Sequence, residues 1–131
     1  MSKISRFEDL EIWKDARELC KFVFQITSGG PFSKDYRFRD QIRASSGSIM
    51  DNIAEGFERG GNKEFLQFLS VAKGSCGETR SQSYRAFDYG YFEQVILTQL
   101  LDKTTNLSKQ ISNFMTNLKK STLKNTHQGL H

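Results

Sequence analysis

Leu97, Leu100, Thr104, Leu107, Ile111, Phe114 and Leu118 alternate at spacings of three and four, a seam of coiled-coil type held for about three heptads. That repeat puts all seven side chains on one stripe of a helix, whereas a strand, with its period of two, would scatter them over both faces. A helix with one long apolar stripe has to bury it against something, and the rest of the chain offers more helices.

A single proline in 131 residues leaves few obligatory breaks. Between Phe7 and Thr27, Leu10, Trp13, Cys20 and Phe24 recur at helical spacing beside a second stripe of Ile12, Ala16, Leu19, Val23 and Ile26. So wide a face implies more than one neighbour. Ser5 and Glu8 have the spacing of a capping box, and Ser28-Gly29-Gly30-Pro31 ends this first helix.

Ser33 or Asp35 caps a second helix over about 35–58, with Phe38, Ile42, Ser45, Ser46, Ile49, Ile53 and Phe57 facing inward. Its middle, Ala44-Ser45-Ser46-Gly47-Ser48, has poor helix propensity, yet the apolar period stays in phase on both sides, so the helix is predicted to run through. Gly60 closes it, and Asn62 caps a third over about 63–89, turning Phe65, Phe68, Leu69, Ala72, Cys76, Thr79, Ser83 and Phe87 inward. Gly74 and Gly77 predict that helices two and three approach most closely there, opposite Gly47.

The fourth helix is predicted over about 93–120; residues 121–131, which include His127 and His131, have neither period nor caps and are expected to be disordered. Four long helices with short connections give one domain over residues 1–131, all-α, an antiparallel up-and-down four-helix bundle.

Cys20 and Cys76 form no CxxC pair and lie near no histidine, so both read as core thiols, with no metal site and no cofactor implied. No apolar run approaches the ~18 residues of a membrane span and the N-terminus lacks a signal-peptide stretch, which points to the cytoplasm. No catalytic motif is present, and a non-enzymatic protein is expected. The net charge of +4 and isoelectric point near 9.1 permit nucleic-acid binding without demanding it.

Three constellations carry chemistry. Glu8, Glu11, Asp15 and Glu18 line up on the first helix as magnesium-binding carboxylates of a nucleotide hydrolase would, but Lys14, Arg17 and Lys21 interleave at ion-pair spacing, as on a solvated face. Asn52 and Glu55 sit one turn apart beside the core positions of helix two; with a donor such as Arg59, Arg43 or Arg80 they read as a polar lock on helix register, or as a ligand site. Arg37, Arg39, Arg43, Lys63, Lys73, Arg80 and Arg85, with Tyr36, Tyr84 and Tyr89 for stacking, are the ingredients of sequence-tolerant RNA binding. Asp40, Asp51, Glu64 and Glu78 intersperse them, while Lys109, Lys119, Lys120 and Lys124 follow the last acid, Asp102.

Several segments together resemble the four-helix bundle family that includes the 23S ribosomal RNA intervening-sequence proteins. They are Phe7-Glu8-Asp9-Leu10-Glu11-Ile12-Trp13-Lys14-Asp15-Ala16, Asp40-Gln41-Ile42-Arg43-Ala44-Ser45, Asn52-Ile53-Ala54-Glu55-Gly56-Phe57 and Lys63-Glu64-Phe65-Leu66-Gln67-Phe68-Leu69. Ala72-Lys73-Gly74-Ser75-Cys76-Gly77-Glu78-Thr79-Arg80-Ser81-Gln82 and Asp88-Tyr89-Gly90-Tyr91 continue the likeness, which covers residues 7 to 120. Met50 stands where the family commonly has proline, and Glu58 where a small residue is frequent. Most members have no established activity. A related branch, the accessory variability proteins of diversity-generating retroelements, implies a homopentameric ring that binds nucleic acid and a reverse transcriptase.

Three readings remain at the level of sequence. The leading one is a non-enzymatic RNA- or nucleoprotein-binding homo-oligomer that works through basic helix faces. A protein-partner adaptor with no nucleic-acid role is the alternative, and a magnesium-dependent hydrolase using Glu11, Asp15 and Glu18 is the outsider.

Overall fold

The computed structural model describes residues 4–129, with side chains described over 4–121. Four helices follow one another: α1 (Glu11–Ile26), α2 (Tyr36–Glu58), α3 (Asn62–Asp88) and α4 (Gln94–Gly129). Short 3-10 turns at Phe7–Asp9 and Pro31–Lys34 precede α1 and α2. Each helix packs on the next and α4 closes on α1, with α2 and α3 forming the most extensive pair. The bundle is therefore all-α, and no described helix is long and apolar enough to cross a membrane.

Where the ends differ from expectation, tertiary contacts decide. The predicted first helix is split, because Leu10 is extended (φ −75°, ψ 127°) and neither the 3-10 turn nor α1 has a side-chain cap. The bend buries Leu10 and brings Phe7 edge-on to Trp13 at 5.2 Å, so the Ser5–Glu8 capping box does not form. Asp35 does cap α2, accepting from the Phe38 amide, whereas Ser33 sits inside the preceding turn and donates to the Gly30 carbonyl. Asn62 is the first residue of α3 and Gly61 its uncapped N-terminus.

Beyond residue 120, where the sequence shows neither period nor caps, α4 runs on to Gly129. No glycine or proline interrupts residues 94–128, so propagation of an established helix has no reason to stop. His127 thus falls on the helix, and His131 lies outside the described residues.

The core follows the second α1 stripe, Ile12, Ala16, Leu19 and Val23, against Ile42, Ile49, Ile53, Leu69, Ala72, Leu100, Leu107 and Ile111. Apart from Leu10, the first stripe is peripheral: Trp13 and Cys20 are half-buried and Phe24 is exposed. Phe32, in the α1–α2 connection, is buried completely and gathers Phe38, Tyr91 and Phe92 around it at 4.8–6.4 Å, plugging one end of the bundle. The Tyr91 hydroxyl donates to Asp35 there, which holds its pKa above the ordinary tyrosine value.

Helices two and three do not meet at the predicted glycines. A Cβ placed on Gly74 or Gly77 would find open space, and one on Gly47 would meet only the Cys20 sulfur, at 3.9 Å. The close approach lies at Gly56, where a Cβ would stand 2.6 Å from the Phe68 Cβ and 2.9 Å from a Phe65 ring carbon.

What joins the middles of α2 and α3 is a hydroxyl network. Ser45 Oγ lies 2.8 Å from Thr79 Oγ1 and donates to Gln82 Oε1 at 2.6 Å, all three residues being buried. Ser75 Oγ donates to Ser48 Oγ at 3.1 Å, and Asn52 donates to the same Ser48 hydroxyl at 2.8 Å. Removing the hub strands buried acceptors, so Ser45→Ala is expected to cost about 1–3 kcal/mol. Urea unfolding checks this as a lower midpoint with an unchanged slope.

Cys76 is buried as expected and donates to the Thr104 carbonyl; burial pushes its thiol up to about 11, against the pull of the Arg80 charge. Cys20 is raised as well, chiefly by burial, but remains partly open. A disulfide-exchange reagent at pH 8 is therefore expected to reach at most one thiol of the native protein, slowly, and the second only after unfolding. Rapid release of both in native buffer would contradict this packing.

Candidate nucleic-acid interface

The seven predicted basic residues do not form one surface. Arg43 is drawn inward, its Nε donating to Thr27 Oγ1 at 2.8 Å and its guanidinium lying 4.4 Å over the Phe24 ring, which clamps the end of α1 to α2. Arg39 pairs with Asp40 at 3.0 Å, donates to the Ser33 carbonyl and stacks on Tyr36. Arg85 lies 4.1 Å over the Phe38 ring and shares a shallow polar depression with Arg37 and Asp35. Lys63 is exposed at the start of α3, far along the helix from the others.

Lys73 and Arg80 are different. Seven residues apart on α3, they lie on one flank with about 10 Å of helix rise between them. Lys109 of α4 joins them in a cleft of about 350 Å³ completed by Thr105, Ser108, Ser112 and Asn113. No carboxylate lines it, and none of the three cations belongs to an ion pair among the described residues. Three exposed charges ringed by hydroxyl and amide donors suit a phosphate: the cations supply attraction and the neutral groups supply direction.

The α4 side of this cleft was the part least visible in sequence. Lys109 stood out only as part of a charge surplus, and Thr105, Ser108 and Ser112 not at all. Their signal was positional, since they flank the Leu97–Leu118 seam at spacings of three and four and so share the α3-facing edge of α4.

The predicted polar lock is also rearranged. Asn52 does link to the other helix, through Ser48 and Ser75, but Glu55 and Arg59 form an i,i+4 pair at 3.0 Å on the surface of α2, with Arg59 over Phe68. Both partners are half exposed, so this pair contributes little to register.

Of the four carboxylates predicted in line on the first helix, Glu8 falls in the 3-10 turn and pairs with Arg6, Glu11 pairs with Lys14 and Glu18 with Lys21, while Asp15 joins no ion pair among the described residues. Among the described residues no three acidic, histidine or cysteine side chains gather as a metal would require.

The sequence model of the 23S rRNA-intervening sequence proteins matches residues 8–113, most of the chain. The chain belongs to that family. Among solved structures, the bundle is similar to the crystal structure of a protein of unknown function from the S23 ribosomal protein family of Bacteroides thetaiotaomicron, with a TM-score of 0.73 and 18% identity. The likeness covers 80% of this chain and 95% of that one, and at such identity it speaks for the fold. No curated protein matches. Within this intervening-sequence protein, Lys73 and Arg80 fall inside the matched segment, as does Lys109.

Proposed function

We propose that this intervening-sequence protein is a non-enzymatic RNA-binding bundle that takes backbone phosphates into the α3–α4 cleft and acts as a homo-oligomer. The observation that carries the reading is the meeting of Lys73, Arg80 and Lys109 with hydroxyl donors and without a carboxylate, none of the three being ion-paired among the described residues. A structural bundle has no need of such a place, because like charges brought together repel unless an anion joins them.

The family takes its name from sequences that interrupt ribosomal RNA, which makes structured RNA the natural polyanion to test. A net charge of only +4 per chain is modest, and assembly would repeat the cleft around an axis; the resemblance to pentameric rings makes five copies the leading number. Titration of a structured RNA at several salt concentrations tests the binding, and light scattering tests the assembly. Absence of binding at low ionic strength removes the first element, and a monomeric mass at working concentration removes the second.

A further inference from the structure

Behind the cleft, on the opposite flank of α3, a second groove of about 390 Å³ runs between α2 and α3, bordered by Gln41, Ser48, Ser75, Glu78, Gln82 and Arg85. Gln82 is only 6% exposed, and its carboxamide oxygen is fixed by the 2.6 Å bond from Ser45. Its amide nitrogen has no partner among the described residues. Yet no buried side-chain nitrogen or oxygen among them is left unsatisfied, so this nitrogen keeps an open face, and the groove is where it opens.

Glu78, one turn earlier on the same flank, belongs to no ion pair among the described residues. Arg85 closes the far end, held over Phe38 and with a nitrogen 3.4 Å from Gln41 Oε1. Along the groove an occupant therefore meets a free carboxylate, then a fixed amide donor, then a guanidinium.

A guest that satisfies this order offers two adjacent donors beside an acceptor. Among the four RNA bases only guanine does so on its Watson–Crick edge, with N1–H and the 2-amino group next to O6. Adenine and cytosine each place an acceptor beside a single amino group, and uracil has one donor between two carbonyls.

The outer face of α3 connects the two sites. Between cleft and groove it carries Ser70, Gly74, Gly77 and Ser81, all exposed, and around both glycines the space is open. Mid-helix glycine weakens a helix, and here no packing contact gives anything in return. What the glycines do provide is a low ridge over which a strand anchored by phosphate on one side can lay a base on the other.

We infer that the α2–α3 groove receives an unpaired guanine of the bound RNA, with Glu78 accepting from N1–H and the 2-amino group and Gln82 donating to O6. This rests on the RNA-binding reading of the α3–α4 cleft. The test uses three RNA hairpins identical except for one unpaired loop nucleotide, guanosine, inosine or adenosine, titrated by fluorescence anisotropy. They are measured against the native protein, Glu78→Gln, and the double variant Lys73→Ala with Lys109→Ala.

The guanosine hairpin is expected to bind roughly tenfold more tightly than the inosine hairpin, which lacks the 2-amino group. Glu78→Gln should erase that preference while leaving the salt dependence and the thermal unfolding of the protein unchanged. Equal affinity for the three hairpins, or a guanosine preference that survives Glu78→Gln, overturns the groove assignment. If salt-dependent binding still weakens in the double variant, the cleft reading stands without it. No binding of any hairpin at low salt overturns both.

Discussion

Gly56→Ala is expected to destabilise the protein by about 1–3 kcal/mol, although it adds a single methyl group. The new carbon would sit 2.6 Å from the Phe68 Cβ, a backbone-proximal atom that cannot swing away as the end of a long side chain could. Relief requires α2 and α3 to part locally, and their separation is fixed on one side by the hydroxyl network at Ser45 and on the other by the edge contact of Phe57 with Phe65, ring centroids 6.0 Å apart. The same substitution at Gly74 or Gly77 has the opposite sign. With open space around each, alanine removes the glycine penalty and should stabilise by roughly 0.5–1 kcal/mol per site. Heat-unfolding scans resolve the contrast, at roughly 4 °C per kcal/mol for a domain of this size. Three variants that all lose stability would mean that α3 packs through its glycines after all.

The second large effect concerns the cleft. Replacing Lys73, Arg80 and Lys109 together by alanine removes three phosphate contacts, each worth about 0.7 in the slope of log affinity against log salt for single-stranded nucleic acid. The slope should fall by about 2, with a loss on the order of a hundredfold in affinity near ~0.1 M salt. Arg39→Ala is the matched control. It also removes one positive charge, but one already neutralised by Asp40 at 3.0 Å, so its effect on the slope should be small. An unchanged slope in the triple variant, or an equal drop in the control, would show that RNA is held elsewhere or by net charge alone.

These two results test different levels of the molecule. Gly56 belongs to the fold and lies within the segment that the family model matches. The close contact with Phe68 accounts for glycine at that position in steric terms. Lys73, Arg80 and Lys109 are exposed and contribute nothing visible to packing, so their loss should leave the unfolding transition in place.

Helix number, order and most inward positions were legible in the sequence, because apolar periodicity is written residue by residue and four such periods admit few arrangements. Ile42, Ile49 and Ile53 on α2, and Leu100, Leu107 and Ile111 on α4, are buried where the repeat placed them. Even the helix through Ala44–Ser48, against local propensity, followed from the phase of its flanks.

Three things required the tertiary structure. Which glycine marks the close approach depends on how two helices are rotated about their own axes: Gly74 and Gly77 of α3 face outward, and it is Gly56 of α2 that meets Phe65 and Phe68. Which cations remain free depends on partners distant in sequence: Arg43 is consumed by Thr27 and Phe24, while Lys73 and Arg80 share a cleft with Lys109 across the helix boundary and join no ion pair among the described residues. The end of α1 at Leu10 depends on what that leucine can be buried against. Periodicity along a chain encodes which face of each rod avoids water; the distances between rods, and the charges stranded between them, arise only when all four are packed at once.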